Sequence, residues 1–183
     1  MRLITSLFIA FSSSIVLATT FEGRLTKSKS QILFSDSGLN KLYTLTGASP
    51  MISTYLNKLS EGDFISVEGS KNAADTILMV NSINYVGLGI LLGTWVGDDS
   101  YCYTFSSYTQ FLIFRRVDKR CLPTYSPNYT YFLNPTNGSW VMLLSGERGS
   151  YVGDLIINNP KDIEIELYDS ETGDILRNIH LRK

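Results

Sequence analysis

The sequence predicts a mostly β protein, built as two closely packed antiparallel barrels behind an export leader. Three observations carry this. The composition favours strands, with 11 Tyr, 9 Phe and only 18% charged residues, alongside many Thr, Val and Ile. Residues 19–87 read as three strands, a helix and two more strands. Residues 88–183 read as eight short segments of alternating character, separated by turn residues.

Residues 1–18 form the expected leader. Arg2 supplies a short positive region, Leu3 to Leu17 carries no charge, and Val16-Leu17-Ala18 presents small residues at the positions a signal peptidase reads. A membrane anchor is the other reading, but the apolar run is short for a span. No Cys lies near the cleavage point, so a bacterial lipid anchor is not expected. The protein is expected to be periplasmic or secreted.

Export sets the meaning of the two cysteines, Cys102 and Cys121. In an oxidising compartment two thiols most simply form one disulfide, worth about 3 kcal/mol by chain entropy. A zinc site needs about four ligands, and His180 is the single histidine, so neither a metal nor a cofactor is expected. Net charge is −1, and the longest basic stretch is Arg115-Arg116 with Lys119-Arg120. That excludes an ordinary nucleic-acid binder. The uncharged run from Ile77 to Val96 is long enough for a membrane helix. It holds Asn81, Ser82, Asn84 and three glycines, however, and amides in mid-membrane are costly. Two buried strands joined by a glycine-rich turn are expected there, and no stable membrane insertion of the mature chain.

In order along the first barrel, Phe21-Glu22-Gly23-Arg24-Leu25 alternates as a half-buried strand does. Gln31 to Phe34 follows, then the turn Ser35-Asp36-Ser37-Gly38. Lys41 to Leu45 is the third strand. Ser49 is a suitable N-cap, with Pro50 at the first helical position. Met51, Ile52, Tyr55, Leu56 and Leu59 give the helix one apolar face, and Gly62 is expected as its C′ glycine. Asp63 to Gly69 and Thr76 to Val86 complete the set. This layout is that of an OB-fold. The segment resembles bacterial OB-fold families of the cell envelope, on Phe21-x-Gly23, the Tyr43 strand, Gly62-Asp63-x-Ile65-x-Val67-x-Gly69 and Val80-x-x-Ile83. The resemblance covers about 65 residues and speaks to fold rather than ligand.

The junction Val86 to Gly93 is too apolar for a flexible linker, so it is expected to be buried between the barrels. Strands are then expected at Gly93–Gly97, Tyr101–Ser106, Gln110–Val117, Tyr129–Leu133, Ser139–Ser145, Tyr151–Ile157, Asp162–Tyr168 and Asp174–Leu181, as an up-and-down barrel or curled sheet. Asp118 to Asn128, with Pro123 and Pro127, is expected as a loop. Gly93-Thr94-Trp95 is similar to the first-strand signature of lipocalin-like barrels. That resemblance implies a tryptophan plugging the closed end, and a binding domain rather than a catalyst. Envelope-stress lipoproteins combine the same two folds, but in reverse order and with a lipid-anchor Cys, so only the architecture carries over.

Candidate ligand-binding residues are Trp95, Tyr101, Tyr103, Phe105, Tyr129, Tyr131 and Trp140. Tyr101, Tyr103 and Phe105 fall on one face, with Cys102, Thr104 and Ser106 on the other. These rings either fill the barrel or line an open mouth that holds an apolar or sugar ligand; alternation does not separate the two. The carboxylates Asp98-Asp99 and Asp162-x-Glu164-x-Glu166 suit a hydrolase by type, but read more simply as a turn and a solvated strand face. No catalytic residue is assigned and an enzyme is not expected. The expectation is an exported binding protein of the bacterial envelope, acting on a protein partner or a small apolar ligand. The alternative is an inhibitor of an extracellular hydrolase, a lysozyme or protease, presenting Glu147, Arg148 and Tyr151 from one loop.

Overall fold

The computed structural model describes residues 19–28, 31–122, 128–136, 139–147, 149–169 and 172–183. The leader reading at 1–18 and Arg148 lie outside the described residues. The protein is mostly β, and its strands close into two rings.

The first ring holds β1 (Thr19–Ser28), β2 (Gln31–Asp36), β3 (Lys41–Gly47), β4 (Phe64–Lys71) and β5 (Ile77–Gly87). Neighbours pair antiparallel in the order β3-β2-β1-β4-β5. A parallel pairing of β3 with β5, from Thr44 opposite Ile77 to Gly47 opposite Val80, closes it. Helix α1 (Pro50–Lys58) links β3 to β4. The Ser49 Oγ accepts the Ile52 amide at 3.3 Å, which satisfies one orphan donor of the first turn. Ile52, Leu56 and Leu59 are buried in the ring, whereas Met51 is exposed. Gly62 is not the C′ residue. The helix ends earlier, with Leu59 in extended conformation as its cap. Gly62 instead turns the chain into β4, at φ 84°, where glycine carries no steric cost.

The run from Ile77 to Val96 is two strands and a tight connection. After β5, a 3₁₀ turn at Gly89–Leu91 leads into β6 (Gly93–Gly97). Leu88 and Leu91 are buried. Among the described residues no helix is long and apolar enough to cross a membrane.

The second ring is a closed eight-strand antiparallel barrel. Its strands are β6, β7 (Tyr101–Phe105), β8 (Gln110–Val117), β10 (Asn128–Pro135), β11 (Trp140–Gly146), β12 (Gly149–Asn159), β13 (Asp162–Tyr168) and β14 (Ile175–Arg182). The chain closes twice: β14 returns to β6 at Leu181 opposite Gly97, and β8 meets β10 at Phe111 opposite Tyr129. The stretch after Asp118 is not wholly a loop. Arg120–Leu122 forms β9, a hairpin partner of β8. Its two-residue turn, Asp118-Lys119, has both φ angles positive, the pattern that matches strand twist in tight hairpins. The disulfide Cys102–Cys121 is formed, with Cα atoms 5.8 Å apart, and ties β9 to β7.

The rings meet around Tyr108, in the turn between β7 and β8. Its ring stacks on Phe64 at 5.6 Å and its hydroxyl donates to the Gly62 carbonyl at 2.8 Å. The Tyr85 hydroxyl donates to the Tyr108 carbonyl. Gly87 makes the seat, since a Cβ there would lie 2.6 Å from the Tyr108 ring. Asp63 fixes the chain leaving β5: its carboxylate accepts the Ser60 amide at 2.6 Å and the Gly89 amide at 2.8 Å. Burial pushes the Asp63 carboxyl above its ordinary range, and those two amides and the Lys27 charge oppose the shift.

Candidate functional site

Period-two alternation decides what enters the eight-strand barrel. On β6 it sends Trp95 inward, on β7 Tyr103 and Phe105, on β10 Tyr129 and Tyr131, and on β11 Trp140; all are buried. They occupy different depths. Trp95 lies at the end next to the 3₁₀ turn, where its indole N–H donates to the Leu91 carbonyl at 2.7 Å. Lys183 crosses the same ring at 4.5 Å and donates to the Ile90 and Leu92 carbonyls, both at 2.8 Å. That end is a closed floor. At the same end, Phe105, which pairs with Gly93, packs on Phe111 at 4.7 Å and edge-on to Tyr131 at 5.2 Å, and the Tyr131 hydroxyl donates to the Ser107 carbonyl at 3.1 Å.

Toward the other end the filling stops. A cavity of about 240 Å³ opens there, walled by Tyr103, Phe111 and Tyr129 on one side and by Leu144, Ile165 and Ile179 on the other. Of the seven candidate rings, Tyr103 and Tyr129 line it. Trp95, Phe105, Tyr131 and Trp140 pack outside its wall, and Tyr101 is exposed at the rim. Cys102, on the outward side of β7, is nonetheless fully buried. Tyr151 is not part of a projecting loop. It lies on β12 and its ring faces the cavity, 6.2 Å from Tyr129. Glu147 is exposed at the turn between β11 and β12.

The mouth carries a polar cluster; sequence reading named Asp99 and Tyr103 separately but not Arg177, nor that the three come together. Asp99, in the turn after β6, accepts the Tyr103 hydroxyl and an Arg177 guanidinium N–H on the same oxygen. The Arg177 guanidinium also lies 5.8 Å from the Tyr101 ring. Gly97 permits the arrangement, because a Cβ there would meet the Asp99 carboxylate at 2.4 Å and the Tyr103 ring at 2.7 Å. Burial, reinforced by the bond to Asp99, pushes the Tyr103 phenol far above its usual value. It is a neutral donor throughout the physiological range, with its proton committed to Asp99. The signal available in sequence was the Gly97-Asp98-Asp99 turn; its partner Arg177 lies 78 residues away.

Glu166 and Asp162 are held elsewhere. Glu166 accepts the Tyr168 hydroxyl at 2.8 Å. Asp162 contacts the His180 Nε2 at 2.7 Å and accepts an Asn158 amide N–H at 3.0 Å. Among the described residues no group of three His, Cys, Asp or Glu side chains could hold a metal ion. The chain matches no protein-family model, no curated protein and no solved structure.

Proposed function

We propose that this is an exported, non-enzymatic binding protein of the bacterial cell envelope, and that its eight-strand barrel receives a small, largely apolar ligand at its mouth. The observation that carries the reading is the half-filled barrel: an aromatic floor, an upper end that side chains do not fill, and a polar cluster at the rim. Eight strands enclose an interior just wide enough for side chains or for one small ligand. Here both occur, at different depths. A volume of about 240 Å³ equals roughly eight waters at about 30 Å³ each, below the usual range for drug-sized ligands. The occupant is therefore a short alkyl or single-ring compound, or the end of a longer chain.

The Asp99–Arg177–Tyr103 cluster suits orientation rather than chemistry. The Tyr103 hydroxyl and an Arg177 N–H both donate to one Asp99 oxygen, which fixes the cluster in place at the rim to meet the polar end of a ligand. In fold terms we read the five-strand ring with its helix plug as an OB-type barrel, and the eight-strand ring as lipocalin-like, with Trp95 as the floor plug. The pairing of β3 with β5 and the place of α1 support the first; the position of Trp95 on the first strand of the closed barrel supports the second. The disulfide supports an oxidising compartment.

A protein partner is the second reading. It rests on an outward row of apolar side chains across three adjacent strands, Phe132, Leu143 and Val152, all more than a third exposed. Native mass spectrometry of protein purified from its own host separates the two. A co-purifying small molecule is the expected result, and it should be absent when Leu167, which lines the cavity, is replaced in a Leu167→Trp variant that fills the mouth. A bare chain that binds no short alkyl or aryl compound would overturn the ligand reading. A bound protein lost on Phe132→Ser would favour the second.

A further inference from the structure

The β8–β9 hairpin carries a charge pattern that the barrel does not need. Residues 115–120 hold four cations, Arg115, Arg116, Lys119 and Arg120, against one carboxylate, Asp118, in a chain of net charge −1. Among the described residues none of these four cations sits in an ion pair. Strand pairing sorts the side chains into two faces. Arg116 is opposite Cys121, and that face is tied to the barrel through the disulfide to Cys102. On the other face Arg115 stands opposite Leu122 and Val117 opposite Arg120. Cations and apolar groups thus alternate in a small checkerboard, with Lys119 at the tip. All five residues are exposed, Val117 and Leu122 at 39% each.

We propose that this face docks the protein peripherally on membranes rich in anionic phospholipid. The guanidinium and ammonium groups would meet the phosphates, while Val117 and Leu122 enter the headgroup boundary. Arginine suits phosphate because its planar fork donates two parallel hydrogen bonds, and interleaved apolar side chains add burial at the interface that a purely charged arm lacks. The tight turn and the disulfide hold the hairpin in shape before contact, so little ordering entropy is lost on docking. The placement has a consequence. Arg115 is the cross-strand partner of Tyr101, at the rim of the barrel cavity, so a docked hairpin brings the open mouth to the lipid headgroups. The docking itself stands on the hairpin alone and does not depend on what the cavity holds.

Sedimentation of the protein, as purified from its host, with phosphatidylglycerol vesicles or with phosphatidylcholine vesicles tests it. Binding to phosphatidylglycerol and not phosphatidylcholine is expected, weakening as salt rises. Each Lys or Arg near such a surface strengthens attachment about fivefold. Arg115→Gln/Lys119→Gln/Arg120→Gln should therefore lose roughly 100-fold, and Lys119→Gln alone about fivefold; an unchanged thermal unfolding midpoint shows that each variant is folded. Equal binding to both lipids, no binding to phosphatidylglycerol, or an unaffected triple variant would overturn the proposal. Retention on a sulfated polysaccharide without vesicle binding would overturn it too, in favour of an anionic polymer.

Discussion

The two rings of this protein solve the same closure problem with different interiors. The five-strand ring is narrow, and one helix is enough to stop it: Ile52, Leu56 and Leu59 enter a core already packed with Phe34, Tyr43, Ile65 and Val67. The eight-strand barrel is wider, because diameter grows with strand number, and its side chains fill only one end. Trp95, Phe105 and Tyr131 occupy the floor; about 240 Å³ above them is not filled by side chains. Both rings use alternating aromatic strands. The difference lies in strand number and in a helical plug, α1, which has no counterpart among the described residues of the larger barrel. Aromatic content by itself therefore says little about whether a β ring is solid or hollow.

Several substitutions break or sharpen this contrast. Removing the floor should be the most damaging. Trp95→Ala deletes a fully buried ring and its bond to Leu91, at a cost of about 3–5 kcal/mol, measured by denaturant unfolding. Breaking the staple with Cys102→Ser/Cys121→Ser should cost about 3 kcal/mol. A matched pair then compares the interiors directly. Leu56→Ala in the filled ring should cost about 3–4 kcal/mol, and Leu144→Ala, which only enlarges an existing cavity, about 2 kcal/mol. Equal costs would mean that the two interiors are equally packed. Ser49→Ala, at the cap of the plug, should cost about 1 kcal/mol.

Acid should strike the smaller ring through Asp75. Its hydrogen bonds and ion pairs to Lys41 and Lys71 hold its carboxyl down at about 2. A folded pKa below the unfolded one contributes stability that is present above about pH 4 and lost as pH falls toward 2. Asp75→Asn should flatten that part of the acid unfolding curve. Asp63 has the opposite sign. Its folded pKa is raised, so the stability it contributes is complete below the ordinary carboxylate range and declines as pH rises through the raised value.

How much of this was legible in the sequence follows physical lines. Strands β6 to β8 and β10 to β14 were readable because alternation and turn residues are local properties. So was the helix plug, from Ser49-Pro50 and the spacing of Ile52, Leu56 and Leu59. Strand β9 was not, because Pro123 and Pro127 marked the whole stretch as loop and Asp118-Lys119 lacks the glycine that usually announces a tight hairpin. Tyr108 gave no sign of its role: Phe64 and Gly87 come beneath it only when the rings meet. Asp99 read as a turn residue because Arg177, which makes it part of the mouth, arrives from the last strand. The depth at which filling stops depends on all eight strands together, so no single stretch could show it.

The central claim is that the unfilled upper end of the barrel is a binding site. The most direct measurement is a titration with short-chain alcohols and single-ring aromatics, followed by methyl NMR of the isoleucines, leucines and valines. Saturable shifts confined to the methyls that line the cavity, Ile113, Leu144, Ile165, Leu167, Leu176 and Ile179, are expected, and they should vanish in Leu167→Trp. Shifts that never saturate, or that fall instead on Leu143 and Val152 of the outer surface, would contradict it.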